Sequence, residues 1–126
     1  MKWISTIKQI GQQAFVADQQ MVILFGENVS PELVDVSVIQ KFDHDSPANN
    51  FVLKKGDTVT IDGQTYLADY VGPMVESNMR ALGHSTLFIG QKIPKNPLAN
   101  AIYLSLTAKQ TQPQFEIGAE IIYEHI

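Results

Sequence analysis

Apolar positions in this chain recur at a spacing of two, or in short continuous runs, and the runs are broken by glycine, proline, aspartate and asparagine. That pattern predicts strands rather than long helices. Lys2 to Ile10 reads as a first strand, with Ile4 and Ile10 on one parity and Trp3 and Ile7 on the other, so both faces carry apolar groups. Gly11 ends it. Gln12 to Gln20 is polar with Ala14, Phe15 and Val16 inside, which leaves a helical turn and a loop both open. Met21 to Phe25 is a continuous apolar run, the signature of a buried strand. Ser30-Pro31 puts an N-cap serine before a proline at the first helical position and predicts a single helical turn. Val34 to Phe42 reads as a strand in which Val34, Val36, Val38 and Gln40 alternate against Asp35, Ser37, Ile39 and Lys41. Asp43 to Asn50 is a loop by its turn residues. Beyond it, Thr58 to Ile61 and Gln64 to Leu67 flank Asp62-Gly63, the strongest short-range hairpin signal.

Tyr66 to Gly90 predicts strand, helix, strand. Pro73 suits a first helical turn. Val75, Met79 and Leu82 then fall on one face of a helix over about 74–82. Gly83 follows, where a helix end needs a residue that tolerates positive φ. Ser85 to Ile89 is a β-branched and aromatic strand. Gln91 to Asn100 is a loop, Ala101 to Leu106 a strand, Thr111 to Gln114 a turn, and Ala119 to Tyr123 a last strand. About eight strands at this spacing predict an all-β sandwich or barrel. No composition break divides the chain, so residues 1–126 are expected to form a single domain.

Composition narrows the chemistry. A net charge of −4 argues against nucleic acid, which requires a basic face. The chain has no cysteine, which excludes disulfides, thiolate catalysis and zinc–thiolate sites. No apolar run is long enough to span a bilayer as a helix, and Lys8, Gln9, Gln12 and Gln13 interrupt any signal-type segment, so a cytoplasmic protein that does not span the membrane is expected. There is no phosphate-binding glycine loop and no HxxxH or HExxH pair, so neither a cofactor nor a metal is expected.

Three histidines remain. His125, near the last residue, reads as an exposed strand end. His44 lies within Asp43-His44-Asp45, where flanking carboxylates favour its charged form, and a solvated loop histidine is the plainer reading. His84 follows the helix stop, where an imidazolium can cap the last carbonyls or serve a functional role, with Arg80 one turn earlier.

Ile10-Gly11-Gln12, Asp18, Gln20-Met21, Ile23, Phe25, Pro31-Glu32-Leu33, Val38-Ile39, Gly56, Gly63-Gln64, Tyr66, Val71-Gly72 and the block from Asn78 through Arg80, Gly83 and His84 to Leu87 carry a resemblance. The chain resembles the glucitol/sorbitol-specific enzyme IIA component of the bacterial phosphotransferase system over most of its length. The resemblance implies a closed or nearly closed small β-barrel and a phosphocarrier that takes a phosphoryl group on histidine from HPr. It implies delivery to the IIB domain of a IIB/IIC sugar permease, with no cofactor. In this family the phosphorylated histidine follows the strand matching Val38-Ile39, where this chain has Gln40, which cannot take up phosphate in that way. The resemblance then offers His44, four residues on, as first acceptor and His84, which matches a family histidine, as second, with Arg80 in support. The two histidines are expected to approach one surface depression. The negative end of the helix dipole counts against phosphate at His84; Arg80 and the backbone N–H groups after Gly83 would offset it. Gln40 equally favours a non-phosphorylated regulatory or ligand-binding relative of the same fold. An exposed strand edge would also permit a homodimer.

Overall fold

The computed structural model describes residues 1–15 and 21–126. The end of the polar stretch after Gly11, with Val16, Asp18 and Gln20, lies outside the described residues; its start, Gln12 and Gln13, forms a turn, and the Ala14 N–H returns to the Gly11 carbonyl. Among the described residues there are eight strands: β1 (Lys2–Ile10), β2 (Met21–Phe25), β3 (Val38–Phe42), β4 (Thr58–Ile61), β5 (Gln64–Val71), β6 (Ser85–Ile89), β7 (Ala101–Leu104) and β8 (Glu120–Glu124). They close into a barrel in the order β1-β3-β2-β6-β7-β5-β4-β8. The pairs β2–β3 and β6–β7 are parallel, and the remaining pairs are antiparallel. Closure removes the free edges that an open sheet would present. Among the described strands, each pairs with a neighbour on both sides, although β2 and β3 meet over only Leu24–Val38 and Phe25–Ile39.

The spacing of two predicted from the sequence becomes the inside and outside of the barrel. Trp3 and Ile7 of β1, Val22 and Leu24 of β2, Val59 and Ile61 of β4, Leu87 and Ile89 of β6, and Ile121 and Tyr123 of β8 are all buried in one apolar cluster. Phe51 and Leu53, before β4, join the same cluster and are almost wholly shielded. Burying each such side chain contributes about 2 kcal/mol. The Asp62-Gly63 hairpin forms as expected, with φ of 56° and 71° at its two turn residues. Both central residues have positive φ, as a type I′ turn requires.

Among the described residues, two α-helices and a 3-10 turn at Ala48–Asn50 interrupt the strands. The helical turn α1 (Pro31–Val34) has Ser30 at its N-cap, but the Ser30 hydroxyl makes no cap bond. Its carbonyl instead accepts the N–H groups of Leu33 and Val34. The strand expected from Val34 is therefore shorter. Val34 ends α1, Ser37 donates its hydroxyl to the Leu33 carbonyl at 2.6 Å, and β3 begins only at Val38. The longer helix α2 (Val75–Leu82) buries Val75 and Met79, while Leu82 is more than half exposed. Pro73 precedes the N-cap residue, Met74, and does not occupy the first helical turn. Gly83 adopts φ 61° at the C-cap, and the His84 and Gly83 N–H groups return to the Asn78 and Met79 carbonyls. This pair of hydrogen bonds closes the helix end in the expected left-handed manner.

His125 is not a free strand end. Its Nδ1 lies 2.6 Å from Oδ2 of Asp57, a carboxylate that is almost fully buried. Asp57 also accepts the N–H groups of Lys54 and Ile126. Burial pushes the Asp57 pKa upward, but these hydrogen bonds and the imidazole outweigh it, and the net value lies below the ordinary 3.8. A carboxylate with a depressed folded pKa stabilises the fold above its unfolded value, and that contribution disappears as pH falls through the folded value. Stability should therefore decline with acidification below pH 3.8. Asp57→Asn should flatten this acid limb, as checked by urea unfolding at a series of acid pH values.

Candidate functional site

A groove of about 480 Å³ opens beside β3 and the end of α2. Phe25 and the turn from Gly26 to Ser30 form one wall, Lys41, Phe42 and Ala48 another, and Met79 to Gly83 a third, with Gln40 among the lining residues. Lys41 faces Glu27 at 4.0 Å, and both side chains are about half exposed. Such a pair is loosely held and contributes little to stability. Arg80 is more firmly placed. Its Nε donates to the Phe51 carbonyl at 2.9 Å, and one terminal nitrogen lies 4.0 Å from Glu76. Glu76 also meets Lys54 at 3.1 Å and accepts the Leu53 N–H. The Arg80 cation thus stands at the groove wall with one carboxylate already near it.

Gln40, at the position where the resemblance expects a phosphohistidine, is 1% exposed. Its Oε1 accepts the Ser5 hydroxyl at 2.7 Å and the Tyr123 hydroxyl at 2.8 Å. Its Nε2 donates to the Gly83 carbonyl at 3.0 Å and lies 3.8 Å from the Met79 sulfur. A carbonyl can only accept, so this contact fixes which end of the amide is which. Burial drives the Tyr123 phenol far above its ordinary pKa, against the opposing effect of its hydrogen bonds to Gln40 and Ser5. It therefore remains a neutral donor. The amide ties β1, β3 and β8 to the end of α2, and both of its polar atoms are engaged. Sequence alternation places Gln40 on the inward parity, but nothing local identifies Ser5 or Tyr123 as its partners.

His84 occupies the junction of α2 and β6. Its ring stacks on Phe25, with centroids 4.0 Å apart and planes inclined by 15°. Nδ1 lies 2.9 Å from the Leu24 carbonyl, and Nε2 lies 2.7 Å from Nδ2 of Asn100. The Leu24 carbonyl accepts only, so Nδ1 carries the proton and the lone pair stands on Nε2, where the Asn100 amide donates to it. The side chain does not cap the helix carbonyls, the structural role weighed for it from sequence. The backbone N–H of His84 does that instead. Sequence reasoning misses Asn100, which reads only as the end of a surface loop; its Asn-rich surroundings give no sign of a partner 16 residues away.

His44 is fully exposed in the turn after β3, with Asp45 3.6 Å from its Nδ1. Neither His44 nor His84 is among the groove's lining residues. The depression expected to join them is instead built around Gln40, Arg80 and Phe25. His84 adjoins it through Phe25, on which its ring stacks, and through its chain neighbour Gly83, both of which line the groove. Among the described residues, no group of three His, Asp or Glu side chains converges as a metal site. No described helix is long and apolar enough to cross a membrane.

The geometry can be set against known proteins. A family model described as the PTS system glucitol/sorbitol-specific IIA component matches residues 2–122. Among solved structures, the crystal structure of the PTS system IIA component from Enterococcus faecalis V583 is similar, with a TM-score of 0.83 and 30% sequence identity. That match covers 95% of this chain and 98% of the other. No curated protein matches the chain. With the family model spanning nearly the whole barrel, and a solved IIA component superposing on it, the chain belongs to the glucitol/sorbitol-specific IIA component family of the phosphotransferase system.

Proposed function

We propose that this chain is a single IIA domain over residues 1–126 that works in the cytoplasm as a phosphocarrier, with His84 as its acceptor. It takes a phosphoryl group from HPr and passes it to the IIB component of a glucitol/sorbitol-type permease. Family membership supports the carrier role. The observation that carries the choice of residue is the fixed tautomer of His84, whose Nδ1–H is held by the Leu24 carbonyl. An imidazole held this way presents Nε2 as its nucleophile, and a neutral imidazole attacks phosphorus readily near pH 7. Transfer between two docked histidines then depends mainly on alignment and on donors that meet the phosphoryl oxygens. Arg80 stands at the wall of the neighbouring groove, which is also lined by Phe25, the ring stacked on His84, and supplies positive charge to a docked donor. His44, exposed and outside the groove lining, is the other candidate acceptor.

A second reading is a non-phosphorylated regulatory or ligand-binding relative. The engaged amide of Gln40 favours it, because the family's usual acceptor position is here a buried structural group. Incubation with phosphoenolpyruvate, enzyme I and HPr, followed by intact-mass measurement, separates the two. The carrier reading expects one acid-labile phosphoryl adduct, lost in His84→Ala and kept in His44→Ala. Loss in His44→Ala alone would move the acceptor to His44. No adduct on the unmodified protein would establish the second reading.

A further inference from the structure

The reactive nitrogen of His84 is not open: the Asn100 amide stands on its lone pair at 2.7 Å. The same amide nitrogen lies 3.2 Å from the Thr86 hydroxyl. The Asn100 backbone is fixed, since its carbonyl accepts the Thr86 N–H at 3.0 Å. Only the side-chain torsions of Asn100 are left to move. On this basis, and resting on the carrier reading of His84, we infer that Asn100 is a positioning residue for phosphoryl transfer. It holds the Nε2 lone pair in place at rest and swings its amide onto a phosphoryl oxygen when the donor docks.

The step balances without any further reactant. The Nε2 lone pair forms the new N–P bond as the donor's N–P bond breaks. The donor ring, protonated on its other nitrogen, leaves as a neutral imidazole. His84 keeps its Nδ1 proton against the Leu24 carbonyl, which stabilises the positive character that the phosphorylated ring acquires. The amide of Asn100 exchanges an imidazole acceptor for an anionic oxygen, and hydrogen bonds to charged acceptors are the stronger kind. Thr86, buried on β6, keeps its hydroxyl beside the amide in either position. The stack of His84 on Phe25 fixes the ring plane throughout, so the moving part is the amide and not the nucleophile.

Single-turnover transfer from purified phospho-HPr tests this with the full chain, using Asn100→Ala and Asn100→Asp. Asn100→Ala should transfer about 100-fold more slowly at saturating phospho-HPr, with an unchanged half-saturating concentration. Asn100→Asp, the same shape but an anion, should be slower still, and both should unfold within a few degrees of the parent. A merely structural asparagine would alter stability, not the rate within the docked complex. A parent-like rate in Asn100→Ala, with His84 still acquiring phosphate, overturns the role of Asn100 alone. Absence of any adduct on His84 in the parent overturns the carrier reading of that residue and this inference with it.

Discussion

Gln40→Ala should lower the unfolding free energy by about 4 kcal/mol, and the melting temperature by about 15 °C for a chain of this length. The truncation removes an amide that meets four partners in a site 1% exposed. It leaves the Gly83 carbonyl, a helix-terminal acceptor, without that donor. It also takes their shared amide acceptor from the buried hydroxyls of Ser5 and Tyr123. Each buried polar group without a partner costs about 1–3 kcal/mol, and the space vacated by the side chain adds a cavity contribution. Urea unfolding with an unchanged m-value would measure it cleanly. A loss below about 1 kcal/mol would show that water re-forms the network at little cost. The groove beside it should also lose its shape, because Gln40 links β3 to the end of α2.

Gly72→Ala should cost about 3 kcal/mol and lower the melting temperature by about 10 °C. Gly72 sits where β5 leaves the barrel toward α2, and its N–H donates to the Ala101 carbonyl at 2.8 Å. A Cβ there would collide with the Ala99 carbonyl, and the Leu98 carbonyl lies only 3.0 Å away. These are backbone atoms, so neither can rotate aside, and the 98–101 segment must move. Because Asn100 lies within that segment, the variant should also weaken the Asn100 contact to His84. Gly63→Ala is the control. Gly63 has φ of 71° but nothing within 4 Å of an added Cβ, so only the left-handed backbone is penalised, at about 1 kcal/mol. Equal losses at the two positions would mean that the crossing after β5 relaxes easily.

The elements that can be read from sequence are those specified by adjacent residues. Asp62-Gly63 sets its hairpin, Gly83 its helix end, and the run Met21–Phe25 its strand, because turn chemistry and short-range hydrophobic pattern act within a few residues. Val34 to Ser37 departs from its strand pattern because a neighbouring element wins. Its alternation suits a strand, but the helical turn begun at Pro31 carries through Val34, and the Ser37 hydroxyl bonds back to Leu33. Long-range pairing leaves no mark in the sequence. Nothing near His125 announces Asp57, and nothing near His84 announces Leu24 or Asn100, because each partner arrives from another part of the barrel. The strand count is legible, whereas the two parallel pairings that set the strand order are not. The family block around Arg80 and His84 is visible as a motif, but its meaning depends on which atoms meet the imidazole.

The strand order has a consequence for how the molecule is made. Among the described strands, only β4 and β5 are joined by a tight turn and pair with each other. β1 must find β3 on one side and β8 on the other, and the Trp3–Tyr123 register spans almost the whole chain. Folds dominated by such distant pairings fold slowly, on the order of milliseconds to seconds. During synthesis, β1 emerges first and stays without one of its neighbours until β8 has left the ribosome. The barrel therefore closes late, and until then its open strands are exposed to association with other chains.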